Sequence, residues 1–423
     1  MSSDINYSRF GGIGRAMSNK NFRLYWYGMS AVTVGFWAYR VALGWLVWEL
    51  THSPTWLGLV AVAEMFPMVL LGPIAGTIVD QRGSLFMARI AQTGWALVIL
   101  LLASFTSLGL ATKEVLLVFA VVQGCVAGIS NPAQLALVAR VVPRSDLSPA
   151  IAMQSGTVQT GRFIGPAIAG PLLIISSPAL IFWLVSGGFL FFVMILFRMD
   201  TIEEERPNNE SKGVVTDFAE GVRYSLGHLG IRSMLLFTAL MSLLLRPLAE
   251  LMPGISDNVF GRGPGGLAWL LAAFGLGSLL SSVYLALRGR TEGLAKVYSL
   301  YFVISSLTLV IFSILSSFWA ALFVVTVFGF STNTSSVAAQ TMVQHMVSEN
   351  LRARTMSLLG LTFRAVPAAG ALILGLGQTY IGMVTPLLVA GLLGLVSWAG
   401  LVIVMRGGSL ARQLEVPAKP LIR

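Results

Sequence analysis

Long apolar segments recur along this chain, separated by short loops that carry charged residues, glycine or proline. A helix needs about 20 mostly apolar residues to cross the hydrocarbon core of a bilayer. Breaking the chain at its charged and Gly/Pro loops predicts twelve such segments: 24–48, 55–79, 87–109, 115–139, 150–175, 178–198, 231–255, 266–288, 293–315, 318–345, 353–378 and 383–405. We therefore predict an all-α membrane protein with twelve transmembrane helices.

The composition excludes a water-soluble globular protein. Hydrophobic residues make up 56% of the 423 residues and charged residues only 11%, whereas about 25% of a soluble domain is charged. The net charge of +10 does not indicate nucleic-acid binding, because the basic residues are spread through short loops instead of forming one face. The single Cys125 gives no disulfide framework and no metal cluster. The first 22 residues lack a small-residue cleavage site, so the first helix is expected to be the targeting signal.

The distribution of lysine and arginine predicts the orientation in the membrane. An even number of helices leaves both termini on one side, and 22 of the 28 basic residues fall in the termini and loops of that side. Only Lys113 and Arg262 fall in loops of the opposite side. By the positive-inside rule, we expect a multi-pass protein of the cytoplasmic (inner) membrane with both termini in the cytoplasm.

One long hydrophilic connection divides the predicted helices six and six. It predicts an N-terminal six-helix bundle at 1–199, a cytoplasmic linker at 200–230 and a C-terminal six-helix bundle at 231–423. Within the linker, the near-helical spacing of Phe218, Val222, Leu226 and Leu229 favours an amphipathic helix on the membrane surface. A solvated linker without such a helix is the alternative.

The two halves repeat the positions of their intramembrane arginines. Arg40 and Arg246 lie at similar depths in segments 1 and 7, and Arg162 and Arg364 at similar depths in segments 5 and 11. Arg162 and Arg364 each precede a run rich in proline and glycine. Internal repeats of this kind are typical of secondary transporters, whose substrate site is expected near mid-membrane between the halves.

Enzymatic activity is not expected. The chain lacks the Gly-x-x-x-x-Gly-Lys-Ser/Thr loop that binds ATP phosphates, and it has neither a metal-spaced His/Cys set nor a Ser/His/Asp grouping in a loop. We therefore expect an ion gradient to drive transport, with no cofactor and no metal.

The loop between segments 2 and 3 resembles the signature loop of the major facilitator superfamily. Gly76, Asp80, Arg82 and Gly83 match its glycine, acidic and basic positions. The resemblance implies a cytoplasmic gate in which the N-terminal end of the next helix and nearby basic residues hold Asp80.

The match is incomplete, because Ser84 and Leu85 stand where paired basic residues usually follow. Arg89 is the candidate replacement.

Segment 5 resembles the antiporter motif of drug:proton exporters in the same superfamily. Gly161, Gly165, Pro166 and Gly170 carry this resemblance, which implies a gating role for them.

Three further stretches are similar to the enterobactin-exporter-like, transmembrane secretion effector branch: Asn19-Lys-Asn-Phe-Arg-Leu-Tyr-Trp26, Gly221-Val-Arg-Tyr224 and Leu351-Arg-Ala-Arg354. The resemblance covers nearly the whole chain. It implies the major facilitator fold of two pseudo-symmetric six-helix bundles, and a monomer that exports siderophores or drugs.

Two carboxylates share the membrane interior with the four arginines. Glu64 in segment 2 lies at a depth similar to that of Arg40, and Glu250 follows Arg246 by one helical turn. These residues are either structural ion pairs that let the arginines enter the membrane, or proton carriers whose pKa changes when a pair opens. The sequence leaves both interpretations open.

Four arginines against two carboxylates leave an excess positive charge, which favours an anionic substrate. Candidate contacts are the arginines with Asn131 and Asn333 on the central segments 4 and 10. Trp37 is a further candidate that can stack on an aromatic substrate or on a guanidinium, although ordinary packing also explains it.

The predicted function is therefore secondary active transport, most specifically proton-coupled export of a small organic, siderophore-like anion by alternating access. Its expected partners are that small-molecule substrate, protons and membrane lipids, with no nucleic acid. Two alternatives use the same fold: a lipid or lysophospholipid flippase, and an importer. A non-transporting receptor or scaffold is a third, although its interaction would need a large soluble domain, and the predicted C-terminal tail has only about 18 residues.

Overall fold

The computed structural model describes residues 11–199, 214–348 and 351–406. Within these ranges the chain forms helices and no strands. Fifteen α-helices are described, at Gly11–Ser18 (α1), Lys20–Thr51 (α2), Pro54–Arg82 (α3), Ser84–Ser107 (α4), Lys113–Val141 (α5), Leu147–Ile175 (α6), Pro178–Phe197 (α7), Val214–Gly227 (α8), Leu229–Leu244 (α9), Leu248–Gly254 (α10), Gly263–Arg288 (α11), Leu294–Ile314 (α12), Phe318–Met346 (α13), Arg352–Ile381 (α14) and Thr385–Arg406 (α15).

The described part of the chain has twelve spans long and apolar enough to cross a membrane, which confirms the twelve predicted segments. Local capping defines where several of them begin. The Thr112 side chain accepts a hydrogen bond from the amide of Val115 at the start of α5, and Ser317 does the same for Ala320 at the start of α13. Each cap satisfies one of the amides left without a partner at a helix N-terminus.

Segment 7 is not one continuous helix, so the prediction for 231–255 is wrong in this respect. Three residues, Leu245–Pro247, form a turn between α9 and α10, and a π-helical turn at Ile255–Val259 follows α10. The whole stretch Leu229–Val259 still counts as one apolar span. The break occurs at Pro247 because proline has no amide hydrogen to donate to the carbonyl of Leu243.

Two surface helices flank the spans. Of the four residues that predicted the linker helix, Phe218, Val222 and Leu226 lie in α8, whereas Leu229 begins α9. The short helix α1 was not predicted, because its sequence GGIGRAMS is rich in glycine and glycine disfavours helices. An ion pair between Arg15 Nε and Asp146 Oδ1, 3.2 Å apart, joins α1 to the turn before α6.

The chain divides into two compact units. Among the described residues, the first contains 11–43 and 66–199, and the second contains 44–65, 214–348 and 351–406. In the second unit, Trp48 of α2 contacts Gly254 of α10, and Gly58 of α3 contacts α14.

Within the first unit, α4 packs against both α5 and α7. Gln92 of α4 donates to Ser130 of α5, with Nε2 3.1 Å from Oγ.

Within the second unit, α13 packs against α11 and α12, and α9 packs against α14. Glycines permit several of these contacts. Gly277 of α11 faces the backbone of Thr326, and Gly329 of α13 faces the backbone of Phe274. Gly58 of α3 likewise lies against the backbone of α14. Such glycines let membrane helices approach closely and gain van der Waals contact.

Candidate functional site

Arg162 on α6 is the intramembrane arginine with the fewest compensating contacts in the first unit. Its guanidinium carbon lies 4.9 Å from the centroid of the Trp37 ring. Its Nε is buried and has no hydrogen-bond partner. The side chain forms no ion pair with any residue in the described ranges, and the like charge of Arg40 acts on it. Arg162 is thus a cation held by an aromatic face and repelled by a second cation.

The glycines of the segment 5 motif bring α6 against α2 next to Arg162. An added Cβ at Gly165 would lie 2.5 Å from Trp37 Cβ and 2.9 Å from the Val34 oxygen. Gly161 faces Thr33 and Trp37 in the same way.

The other motif residues, Pro166 and Gly170, are buried within α6. Pro166 cannot donate to the carbonyl of Arg162 four residues earlier. The motif therefore fixes α6 on α2 and loosens its backbone beside the arginine.

In the second unit, Arg246 lies in the turn between α9 and α10. Its Nη1 donates to Ser336 Oγ on α13 at 3.5 Å, and its guanidinium carbon lies 5.3 Å from the Phe363 ring centroid on α14. In each unit, an arginine thus lies over an aromatic ring that belongs to a different helix. The arginine is on α6 in the first unit, whereas in the second it is on the broken span.

Arg364 follows Phe363 on α14 and differs from Arg246. Its side chain is exposed, and among the described residues it has neither a hydrogen-bond partner nor an ion-pair partner. Arg364 is therefore the counterpart of Arg162 in the second unit.

The turn at Leu245–Pro247 is stabilised by backbone contacts. The amide of Ala249 donates to the Arg246 carbonyl oxygen at 3.4 Å. This bond spans three residues, whereas a regular α-helical bond spans four. The Leu243 carbonyl, which Pro247 cannot satisfy, packs against Gly370 of α14, where an added Cβ would overlap it. Gly370 is therefore required where α14 meets the break.

The two carboxylates occupy different environments. Glu64 on α3 is only 5% exposed. Glu250 is half-buried in the first turn of α10. Both side chains interact with other groups.

The two asparagines lie at helix contacts. Asn131 Nδ2 is 3.7 Å from the sulfur of Met68. Asn333 Nδ2 donates to three α11 oxygens, those of the Ser278 carbonyl, Ser281 and Ser282, at 3.2–3.4 Å. Asn333 therefore ties α13 to α11.

In the loop that resembles the superfamily signature, Asp80 and Arg82 are both exposed at the end of α3. Neither makes an ion pair within the described ranges, and no side chain caps the amides at the start of α4. Gly83 joins the two helices with φ +93°, a conformation that favours glycine, whereas an added Cβ at Gly76 would meet nothing within 4 Å.

Arg89 does not take the place of the missing basic residues. It donates to the carbonyls of Leu196 and Met199, each at 3.0 Å, and lies over the Phe197 ring. It therefore caps the C-terminus of α7.

Several residues that shape these sites were not identified from sequence. Phe363 supports Arg246, and the Thr33 hydroxyl is buried beside Gly161 without a hydrogen-bond partner. Trp48 Nε1 donates to Asp257 Oδ2 at 2.9 Å. The only available signal was that Thr33 and Asp257 are polar residues in apolar surroundings. This signal does not identify the residues that they contact.

Comparisons with known proteins agree with this architecture. A family model described as transmembrane secretion effector matches residues 15–411. The uncharacterized MFS-type transporter YfiS of Bacillus subtilis strain 168 is 25% identical over 282 residues, which span 66% of this chain and 65% of YfiS. The staphyloferrin A transporter of Staphylococcus aureus strain NCTC 8325 / PS 47 is 22% identical over 377 residues, 85% of this chain and 90% of that protein.

Among solved structures, a bacterial homologue of the human lysosomal transporter Spinster, in an inward-facing and unoccupied conformation, has a TM-score of 0.72 at 14% identity. The match covers 94% of this chain and 99% of the homologue, and it shows a shared fold. Twelve apolar spans, two units and a family match over almost the whole length lead to one conclusion. The chain belongs to the transmembrane secretion effector family of major facilitator transporters and is a multi-pass membrane transporter, not an enzyme.

Proposed function

We propose that this transporter exports a small organic acid of siderophore type, in exchange for protons, by alternating access. We further propose that it resides in the inner membrane as a monomer with both termini in the cytoplasm, as the distribution of basic residues favours.

The proposal rests mainly on the environment of Arg162. A charged side chain in the middle of a bilayer costs at least about 3 kcal/mol on insertion scales, so it normally has a partner. If the arginines served only as structural ion pairs, each would be paired. Among the described residues, Arg162 Nε is buried without a hydrogen-bond partner, and the side chain pairs with no carboxylate. An anionic cargo would supply the missing charge and acceptor atoms.

Arg364 supports the same proposal independently. It is the second intramembrane arginine with neither hydrogen bond nor ion pair in the described ranges. We propose that Arg162 and Arg364, one in each unit, carry the excess positive charge expected from the sequence. A planar guanidinium offers paired N–H donors that match a carboxylate.

The name of one relative is consistent with an acidic siderophore cargo. The staphyloferrin A transporter shares 22% of the aligned residues, too few to transfer its substrate but enough to choose a probe. For the coupling proton, Glu64 and Glu250 are the carriers we propose.

Proteoliposome counterflow of staphyloferrin A tests the proposal. The variants are R162Q and R364Q, and R290Q is the control because it removes an exposed charge after α11. We expect R162Q to lower the transport rate at least about tenfold, the effect of one lost charge-assisted hydrogen bond, and R290Q to leave it unchanged.

Erythromycin and lysophosphatidylcholine serve as the cationic and lipid comparisons. Full staphyloferrin A transport in both R162Q and R364Q would contradict the anion site. Preferred transport of lysophosphatidylcholine would indicate a flippase.

A further inference from the structure

Trp37 occupies a slot that the two glycines of α6 create. An added Cβ at Gly165 would lie 2.5 Å from Trp37 Cβ, and one at Gly161 would lie 3.2 Å from Trp37 Cδ1. A side chain at Gly165 would therefore push α6 away from α2 at Trp37, and one at Gly161 would overlap Thr33 Cγ2, 2.8 Å away, and crowd the indole. The glycines hold Trp37 beside Arg162, the residue that follows Gly161.

One face of the Trp37 ring is already occupied. The Arg162 guanidinium carbon lies 4.9 Å from the ring centroid, within the range of a cation–π interaction. An aromatic cargo therefore cannot stack on this face without displacing the arginine.

The polar groups around Gly161 are hydrogen-bond donors that lack acceptors. Trp37 Nε1 donates to no described residue, and its ring lies directly under the Arg162 guanidinium. Arg162 Nε is buried without a partner, and so is the hydroxyl of Thr33, a residue only 5% exposed. Buried polar groups in proteins are normally paired, so Arg162 Nε and the Thr33 hydroxyl, both unpaired among the described residues, lack an acceptor group.

We infer that Trp37 determines specificity for a carboxylate. Its ring face positions the Arg162 guanidinium, and its indole N–H donates to the same cargo carboxylate that the guanidinium binds. The site thus selects acceptor oxygens, and an aliphatic acid should bind as well as an aromatic one. This inference rests on the proposed transport of an organic acid.

Isothermal titration calorimetry on the purified full-length protein tests the inference. Three probes separate the chemistries: citrate, 2,3-dihydroxybenzoate and 2,3-dihydroxybenzamide, which keeps the aromatic ring and lacks the carboxylate. W37F keeps an aromatic face near Arg162 and removes the N–H donor together with one ring of the indole. The matched control W319F changes an exposed tryptophan, 67% accessible at the start of α13.

We expect W37F to raise the Kd of citrate and of 2,3-dihydroxybenzoate about tenfold, the effect of losing one hydrogen bond to a charged group. The benzamide should bind weakly to both proteins, and W319F should match the unmodified protein. In counterflow, W37F should raise KM and leave kcat within about twofold, because the bond exists in the bound ground state as well.

Each other result overturns the inference. An unchanged Kd for both acids in W37F means that the N–H is not used. Equal binding of 2,3-dihydroxybenzoate and 2,3-dihydroxybenzamide, with no citrate binding, means that the site recognises the aromatic ring and not the carboxylate. If R162Q loses acid binding while W37F keeps it, only this inference fails. If neither acid binds the unmodified protein, the substrate class itself is wrong.

A second measurement does not depend on how W37F folds. In the unmodified protein with ¹⁵N-labelled tryptophan, one indole N–H resonance should shift with citrate and not with 2,3-dihydroxybenzamide. No shift with citrate would overturn the inference.

Discussion

The four intramembrane arginines fall into two classes. Arg40 and Arg246 interact with other groups, and for Arg246 these include Ser336 and the Phe363 ring. Arg162 and Arg364 have neither hydrogen bonds nor ion pairs among the described residues. An uncompensated charge in a membrane is costly. Contacts within the protein offset this cost for the first class. For the second class, we propose that the compensating charge comes from the cargo.

The carboxylates give a prediction at the residue scale. If Glu64 or Glu250 carries the coupling proton, its replacement by glutamine removes the titrating group and keeps its shape. We expect E64Q or E250Q to abolish accumulation driven by a pH gradient while counterflow exchange continues. Parallel transport assays with and without the gradient distinguish the two activities.

The control is E292Q, which changes an exposed glutamate before α12. Full gradient-driven accumulation in both E64Q and E250Q would show that neither is the carrier.

At the scale of elements, glycines set the distances between helices. On α6, Gly165 faces Trp37 and the α2 backbone, whereas an added Cβ at Gly156 would meet nothing within 4 Å. We expect G165A to destabilise the protein by about 1–3 kcal/mol through overpacking and to weaken acid binding. G156A should be neutral or stabilising, since alanine favours helices over glycine by up to about 1 kcal/mol.

The same contrast exists on α14. An added Cβ at Gly370 would overlap the Leu243 carbonyl and approach Pro247 Cγ to 2.6 Å, whereas one at Gly360 would meet nothing within 4 Å. G370A should therefore lower the melting temperature and G360A should not. Thermal unfolding in detergent measures both pairs. Equal melting temperatures within either pair would contradict the close helix approach seen there.

The elements show where prediction from sequence stops. The lengths of the apolar segments were sufficient to predict the twelve spans, because a helix needs a minimum number of apolar residues to cross a membrane. The break at Leu245–Pro247 was missed, although Pro247 was visible in the sequence. Proline inside an apolar segment either kinks or breaks a membrane helix, and tertiary contacts such as that of Gly370 decide which.

The candidate site was predicted as a set of residue types and not as contacts. The excess of arginine over carboxylate was countable, but which arginines lack partners depends on neighbouring helices. Arg89 illustrates the limit: its position suggested the signature loop, whereas its side chain caps α7. Asn333 likewise ties α13 to α11.

At the scale of the whole molecule, the fold is common to many major facilitator transporters, as the 14% identity to the Spinster homologue illustrates. Fold alone therefore does not determine the cargo. We propose that the cargo is selected by Arg162 and Arg364, which have neither hydrogen bonds nor ion pairs among the described residues. We propose that Arg162 binds a carboxylate of the cargo.

A double-mutant cycle between protein and ligand tests that claim most directly. Dissociation constants are measured for the unmodified protein and R162Q, each with 2,3-dihydroxybenzoate and 2,3-dihydroxybenzamide. If the guanidinium binds the carboxylate, removing either partner weakens binding about tenfold or more. Removing both then costs no more than removing one. Independent effects, with R162Q weakening acid and amide equally, would contradict the claim.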